Sequence, residues 1–295
     1  MERSRTASWR LILTPPAGGA SNMALDQALL ESAGEEGFVP SLRFYRWEPP
    51  ALSLGRFQPI EEIDMEACAA EGIETVRRPT GGKSILHLDD FTYSLVLPEE
   101  WGLPRSVEEA YVVICAGIIA ALRHLGVEAV VQCRAGEDYR ASGGACFAAV
   151  TRADLVHAGR KLCGSAQVRR RGAVLQHGSL FLKDRSETMF RLLAFRSHEE
   201  RQAALEAYRS RCATLEEAGC TAAWDELGEA FRKGFAGAFE VDIMPGDLTS
   251  AERERWRQLE EAYRSPDWLK NAEARSLPAL PHERMKAASP RSPAR

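Results

Sequence analysis

Hydrophobic side chains follow two different periods along this chain. In five segments they recur every three or four residues, which is the spacing of a helix with a buried face. These segments are 22–31, 63–71, 106–125, 222–239 and 249–264. Ser21 and Ser106 stand where they can cap the first and third of them, and Gly126 ends the third. We therefore predict five helices, the first of them amphipathic.

Other segments alternate between apolar and polar residues, or are short apolar runs bounded by Gly or Pro, as strands are. They are 42–47, 51–55, 75–78, 85–87, 91–97, 154–157, 161–167, 174–182 and 241–243. Gly159 and the Arg169–Gly172 segment read as turns between the later ones. Helices and strands do not alternate strictly, so we predict an α+β fold with much antiparallel pairing rather than a doubly wound sheet.

Composition narrows the class of protein. The 295 residues are 45% hydrophobic and 27% charged, with a net charge of -4, which is ordinary for a globular protein and gives no sign of nucleic-acid binding. The longest apolar run, 110–122, is too short to cross a membrane, and no signal peptide is visible. Seven scattered cysteines without a C-x-x-C pair predict a cytoplasmic protein with no zinc site. We expect one catalytic domain over residues 1–275 and a disordered tail over 276–295, which is rich in Pro, Ser, Ala and Arg.

Gly81-Gly82-Lys83-Ser84 is reminiscent of a nucleotide-binding P-loop, but the pattern fails. A P-loop needs a glycine five residues before Gly82, where the chain has Arg77, and a helix afterwards, where a strand is predicted. Paired glycines also allow a plain hairpin turn, or a loop that lets a ligand approach the backbone closely. The residues alone leave both of these open.

A longer pattern surrounds this loop. Arg77–His87, followed by Thr92-Tyr93-Ser94, resembles the arginine–glycine signature of the lipoate ligase and octanoyltransferase families. Four further matches follow the family order, at 22–26, 47–58, 159–167 and 175–180. The resemblance implies a biotin/lipoate ligase-like fold, with a largely antiparallel mixed sheet flanked by helices and a tunnel for an octanoyl or lipoyl chain.

The resemblance also implies which residues bind substrate. They are Arg78, Gly81, Gly82, His87, Gly164, Ser165, Ala166, His177 and Gly178. The chain departs from the family at one point, because Leu88 follows His87 where the family has an aspartate. Asp89 and Asp90 come next, and the role of that aspartate stays unassigned.

Cys146 and Lys161 are the catalytic candidates. The family's lysine matches Lys161, and Cys146, 15 residues earlier, resembles the acyl-carrying cysteine of Gram-positive-type octanoyltransferases. A thiol with a pKa near ~8.5 is only slightly ionised at neutral pH, and a nearby ammonium group would lower that pKa. Cys163 is the rival nucleophile, although a position two residues from Lys161 on one strand face suggests packing. The plainer alternatives are a buried structural Cys146 and a surface Lys161.

Four functions are compatible with these residues. The first is transfer of octanoyl from acyl carrier protein, through a Cys146 thioester and without a cofactor, to a lysine of a lipoyl-domain protein such as glycine cleavage H protein or a 2-oxoacid dehydrogenase E2. The others are an ATP-dependent lipoate ligase, an amidotransferase between lipoyl domains, and an inactive acyl-binding relative. We expect a monomer, with Arg169–Arg171 at a hairpin tip that could meet an acidic partner.

Overall fold

The computed structural model describes residues 7–133, 153–270 and 277–278. The strands in these ranges are β1 (Ser8–Leu13), β2 (Ser41–Tyr45), β3 (Ala51–Leu54), β4 (Glu74–Arg77), β5 (Ile85–His87), β6 (Asp90–Pro98), β7 (Val130–Cys133), β8 (Ala153–His157), β9 (Arg160–Arg170), β10 (Ala173–Phe181) and β11 (Asp242–Pro245). The helices are α1 (Gly19–Ser32), α2 (Met65–Ala70), α3 (Val107–His124), α4 (Ser186–Arg191), α5 (His198–Arg211), α6 (Trp224–Phe239), α7 (Ser250–Tyr263) and α8 (Pro266–Lys270). Each predicted helix and strand is present, within a few residues of its predicted bounds.

Two sheets organise the described residues. An eight-stranded sheet has the order β11-β1-β2-β6-β10-β9-β8-β7, and a three-stranded sheet has the order β4-β3-β5. In the large sheet the parallel pairs are β1–β2 and β1–β11, whereas the pairs along β2-β6-β10-β9-β8-β7 are antiparallel. The predicted α+β class with a largely antiparallel mixed sheet is confirmed.

Helices cover both faces of the large sheet because side chains alternate along its strands. Phe44 packs with α3 and α6 in one core cluster, whereas its neighbour Tyr45 packs with α1 and α7 in a second. A third cluster joins the small sheet to α4 and α5. The edge strand β5 of the small sheet meets the large sheet at His87, whose Nδ1 lies 2.7 Å from Asp90 of β6 and 3.4 Å from the Ser179 hydroxyl of β10.

Helix α1 corrects two predictions. It begins at Gly19 and not after Ser21, and the N-cap Gly18 offers no side chain, so a carboxylate oxygen of Glu74 accepts the Gly19 N–H at 2.9 Å. The helix is also not amphipathic, because it is buried from Ser21 to Ser32 with its polar side chains included. Those polar groups tolerate burial where they have hydrogen-bond partners.

The C-terminal region packs on the same helix. Leu277 is 1% exposed, and the carbonyl of Pro278 accepts a hydrogen bond of 2.8 Å from Gln27. The rest of the tail predicted from Ser276 lies outside the described residues, so its disorder stays a prediction.

Candidate active site

The glycine loop between β4 and β5 is closed by its own arginine. Arg78 donates to the carbonyls of Gly81 (2.7 Å) and Lys83 (2.8 Å), and also to that of Ser53 in β3 (3.0 Å). A Cβ atom on Gly55 would lie 1.7 Å from the Gly82 carbonyl oxygen, so this contact excludes any larger residue there. Gly82 itself has φ +102°, which favours glycine. The segment is thus a rigid loop that leads into a strand, and not a P-loop.

A small, partly open cavity lies beside this loop. Its volume is about 20 Å³, which is enough for about one water molecule. It is lined by Met23, Tyr45, Trp47, Ser53, Arg78, Ile85, His87, Thr92, Gly164, Ala166, His177, Gly178 and Ser179. Ligand pockets usually measure ~300–1,000 Å³, so side chains must move apart before a ligand of that size can enter.

Six of the nine predicted substrate-binding residues line this cavity, namely Arg78, His87, Gly164, Ala166, His177 and Gly178. Gly81 and Gly82 lie next to it through the Arg78 clamp. Ser165 is on the opposite face of β9, where its hydroxyl is 3.0 Å from that of Tyr93. The structure therefore brings the predicted residues together from three segments of the chain.

Gly178 is required by close packing between β9 and β10. A Cβ atom there would lie 2.5 Å from the Ser165 hydroxyl oxygen and 2.7 Å from the Gly164 carbonyl oxygen. A side chain at this position would push the two cavity-lining strands apart.

Asp26 in α1 is a hydrogen-bond centre behind the cavity. Its carboxylate accepts from Arg43 (2.7 Å), Tyr45 (2.9 Å), Ser94 (2.8 Å) and His177 (2.9 Å). Burial alone would raise the pKa of Asp26, but the His177 hydrogen bond and the charge of Arg43 outweigh it and hold that pKa below its ordinary value. Asp26 is fully buried, so the ionised carboxylate depends on these partners.

His177 carries this network to the glycine loop. Its Nδ1 is 2.9 Å from the Asp26 carboxylate, and its Nε2 is 2.6 Å from the Thr80 hydroxyl oxygen. Thr80 is fully buried, and its carbonyl accepts the Arg56 N–H at 2.8 Å. Helix α1, strand β10 and the loop are thereby fixed to one another.

A second histidine, His87, lies on the other wall of the cavity. Its Nδ1 is 2.7 Å from Asp90 and its Nε2 is 2.8 Å from the hydroxyl of Ser53. Its ring stacks on Trp47 with a centroid separation of 3.8 Å and an interplanar angle of 11°. Burial lowers the pKa of His87, although Asp90 opposes the shift, so the imidazole is neutral at neutral pH. Asp90, and not the residue after His87, thus supplies the carboxylate beside this histidine.

Lys161 does not line the cavity. Its Nζ lies 2.7 Å from Asp154, and both side chains are less than 10% exposed, so it is a buried, ion-paired lysine and not a surface one. Leu155 pairs with Cys163 and Val156 with Lys161, so β9 contains one extra residue, Leu162, at this point. The bulge interrupts the alternation by which Lys161 and Cys163 would share a face. Cys163 is fully buried in a core cluster, as a packing residue is.

Cys146 lies outside the described residues. The strands on either side of it are described: β7 ends at Cys133 and β8 begins at Ala153, and these two residues are paired. Asp154, the partner of Lys161, follows directly. The first described residues after Cys146 therefore lie next to the Lys161 ion pair.

Several members of this site were missed in the sequence, namely Asp26, Ser53, Thr80, Asp90 and Asp154. Asp26 and Ser53 fall inside matched motifs, but no pattern there shows which polar residue is buried. A larger cavity of about 130 Å³ lies between β10, α4 and α5, and none of the predicted site residues lines it. Among the described residues there is no cluster that could hold a metal ion, and no helix there is long and apolar enough to cross a membrane.

Comparison with known proteins gives consistent matches. The lipoyl protein ligase A/B catalytic domain family model matches residues 19–236. Octanoyltransferase LipM of Kyrpidia tusciae is 39% identical over 88% of this chain and 98% of its own length. The LipM of Geobacillus kaustophilus is 38% identical over 88% of this chain and 97% of its own.

Solved structures agree on the fold. A bipartite lipoate protein ligase of Thermoplasma acidophilum superposes with a TM-score of 0.77 at 24% identity, over 92% of this chain and 99% of that one. A lipoate-protein ligase A structure with bound ATP gives 0.74 at 24% identity, over 89% and 98%.

Proposed function

This chain belongs to the lipoyl protein ligase A/B catalytic domain family, and from that membership we propose that it is an octanoyltransferase of lipoate biosynthesis. The observation that carries the proposal is the near full-length match to proteins that bear the octanoyltransferase name, at 39% identity over 98% of one of them. The geometry supports it, because a family-specific loop, two histidines and two close-packed strands surround one cavity.

The proposed reaction runs through Cys146. Its thiolate attacks the carbonyl carbon of an octanoyl thioester on acyl carrier protein, the carbon–sulfur bond to the carrier breaks, and the carrier thiol leaves with a proton. The ε-amine of an acceptor lysine then attacks the new thioester, an amide forms, and the Cys146 thiolate is released. One proton leaves the amine, and no ATP is consumed.

Lys161 is proposed to hold the thiolate charge in this reaction. Asp154, at 2.7 Å, keeps the buried lysine charged but also offsets part of its positive field. We therefore expect the two residues to act on the Cys146 pKa in opposite directions.

The cavity is proposed as the inner end of the acyl site. Hydrogen bonds of Arg78 and His177 hold the glycine loop and strand β10 in place. The cavity must therefore widen by movement of the apolar side chains that line it. Met23 and Ile85 are suitable, because one is unbranched and flexible and the other lies next to the loop.

The acceptor is proposed to be a lysine of a lipoyl-domain protein, and the donor an acidic acyl carrier protein. The turn at Arg171–Gly172 joins β9 to β10, and the exposed Arg171 presents positive charge at the end of the two cavity-lining strands, whereas Arg169 and Arg170 are part-buried residues of β9. Complementary charge there would speed encounter with an acidic partner. The free thiols of Cys68, Cys115, Cys163, Cys212 and Cys220 support a reducing compartment such as the cytoplasm.

Intact mass spectrometry tests the proposal. Mixing the protein with octanoyl-acyl carrier protein should add one octanoyl group, which neutral hydroxylamine removes because it is a thioester. Cys146→Ser should not acquire the group, whereas Cys163→Ala, the matched control in the core, should. Labelling of Cys146→Ser would move the nucleophile elsewhere and refute the assignment.

The same assay separates the rival functions. Product formed only from free octanoate with ATP and magnesium would indicate a ligase. Product formed only from an octanoylated lipoyl domain would indicate an amidotransferase.

Alkylation by iodoacetamide as a function of pH tests the electrostatic account. Lys161→Ala should raise the pKa of the Cys146 thiol, and Asp154→Asn should lower it, because each removes one charge of the pair. Unchanged profiles in both variants would contradict any role for the pair in ionising the thiol.

A further inference from the structure

Three residues of the cavity wall form a second reactive arrangement. The Ser53 hydroxyl oxygen is 2.8 Å from His87 Nε2, and His87 Nδ1 is 2.7 Å from an Asp90 carboxylate oxygen. These distances and this order of atoms are those of a serine, a base and an orienting carboxylate in nucleophilic hydrolases.

The fold explains how the three meet. Ser53 pairs with Ile85 and His87 with Ala51 in the small sheet, so Ser53 and His87 lie diagonally on one face of adjacent antiparallel strands. Asp90 opens β6 of the large sheet. The arrangement therefore spans the junction of the two sheets.

The proton positions follow from the partners. The Asp90 oxygen that faces His87 also accepts from Thr92 at 2.7 Å, so it is a carboxylate acceptor and His87 Nδ1 is the donor. His87 Nε2 is then an acceptor, and the Ser53 hydroxyl donates to it. Trp47 stacks on the imidazole and holds its plane. Burial lowers the pKa of His87, so the ring is unprotonated and able to take a proton.

The position of Ser53 in the cavity and the nearby charge of Arg78 are also compatible with this chemistry. Ser53 and His87 both line the cavity that is proposed to receive the acyl chain. Arg78 Nη1 lies 3.4 Å from the Ser53 hydroxyl oxygen, so a positive charge stands next to the nucleophile and would attract the negative charge that develops on an attacked carbonyl.

We infer that Ser53, His87 and Asp90 form a second acyl-transfer centre, which gives the protein a slow hydrolase activity on medium-chain acyl thioesters. The inference rests on the proposed function to the extent that an acyl thioester must enter the cavity. Ser53 Oγ attacks the carbonyl carbon, its proton passes to His87 Nε2 and then to the departing thiol, and an acyl ester forms. A water molecule then attacks the ester, and His87 Nε2 takes a proton from that water. His87 passes this proton to Ser53 Oγ as the ester bond breaks, and the fatty acid leaves.

The Cys146→Ala protein isolates this activity. It should release octanoate from octanoyl-acyl carrier protein faster than the blank without protein. The Cys146→Ala/Ser53→Ala double variant should be at least about 100-fold slower, because general-base catalysis alone contributes about 10²–10⁴-fold. An octyl fluorophosphonate should phosphonylate Ser53, located by peptide mass spectrometry. Equal octanoate release by the single and double variants, or labelling of a different residue, would overturn the inference.

Two further measurements keep the outcome clear. Ser53→Cys in the Cys146→Ala background keeps the size of the side chain and should acquire an octanoyl group that hydroxylamine removes. If this variant acquires no octanoyl group, the result counts against the inference even if Ser53→Ala unfolds. The fluorophosphonate needs no carrier protein. Failure of wild-type octanoylation would therefore refute the proposed function, whereas an unlabelled Ser53 would refute the second centre alone.

Discussion

Replacement of Asp26 by asparagine should strongly destabilise the fold. The side chain keeps its shape but loses its charge, and it retains only one oxygen for four donors. Arg43, which is 1% exposed, would be left as a buried cation without its carboxylate. Removal of one member of a buried ion pair typically costs about 3–5 kcal/mol. With about 2.1 cal/mol/K of unfolding entropy per residue, a chain of 295 residues would lose about 5–8 °C in Tm.

Urea denaturation followed by circular dichroism measures this loss. The matched control is Glu229→Gln, which removes the partner of Arg232 on the surface, where Glu229 is 48% exposed, and should cost less than about 1 kcal/mol. Because the pKa of Asp26 is depressed, its contribution is complete above pH ~4 and is lost as the pH falls through the depressed value. A loss for Asp26→Asn no larger than that of the control at pH 7 would refute the network as a source of stability.

Three other perturbations test the site. Gly178→Ala should cost about 1–3 kcal/mol in urea denaturation, because its Cβ would meet the Ser165 hydroxyl at 2.5 Å. Arg77→Lys should cost about 2–4 kcal/mol and speed hydrogen exchange in α8, because the guanidinium donates twice to the Leu269 carbonyl. Below pH 6.5 the unfolded chain protonates His87 before the folded protein does, so stability should fall as the pH drops towards 5, by at most about 1.4 kcal/mol per unit, and His87→Gln should remove that slope.

Each of these three substitutions has a result that would contradict its prediction. Gly237→Ala in α6, where a Cβ meets no atom within 4 Å, is the control for Gly178 and should be neutral or stabilising. Equal effects at the two glycines would dismiss the close approach of β9 and β10. An unchanged rate of hydrogen exchange in α8 in Arg77→Lys would contradict the role of the Arg77 hydrogen bonds in holding that helix. If stability has the same pH dependence in the wild type and in His87→Gln, groups other than His87 titrate in this range.

Regular elements with a strong apolar pattern could be predicted from the sequence, and weakly patterned ones could not. Helix α3 was predicted with its cap, because Ser106 and Gly126 mark its ends and its side chains fill one core cluster. Helix α5 was missed, because only Leu205 and Tyr208 are buried in it and the hydrophobic signal is therefore faint.

The same reasoning applies to the site. The motifs indicated which segments meet, and the segments do meet around one cavity. They could not show that Asp90 pairs with His87 or that Asp154 pairs with Lys161, because both contacts depend on the register between strands. The sequence predicts an amphipathic α1 because Asn22 and Asp26 look like surface residues until their buried partners are known.

Strand β1 pairs with one strand that is synthesised soon after it and with another that is synthesised near the end of the chain. Its residues, Ser8–Leu13, lie between β2 and β11, and the β11 partners begin at Asp242. At a translation rate of about 5–20 residues per second, the edge of β1 that pairs with β11 stays unpaired for on the order of 10–50 s before β11 is synthesised. A ribosome-bound chain therefore carries an open strand edge for most of its production, which is the kind of surface that self-associates and that chaperones protect.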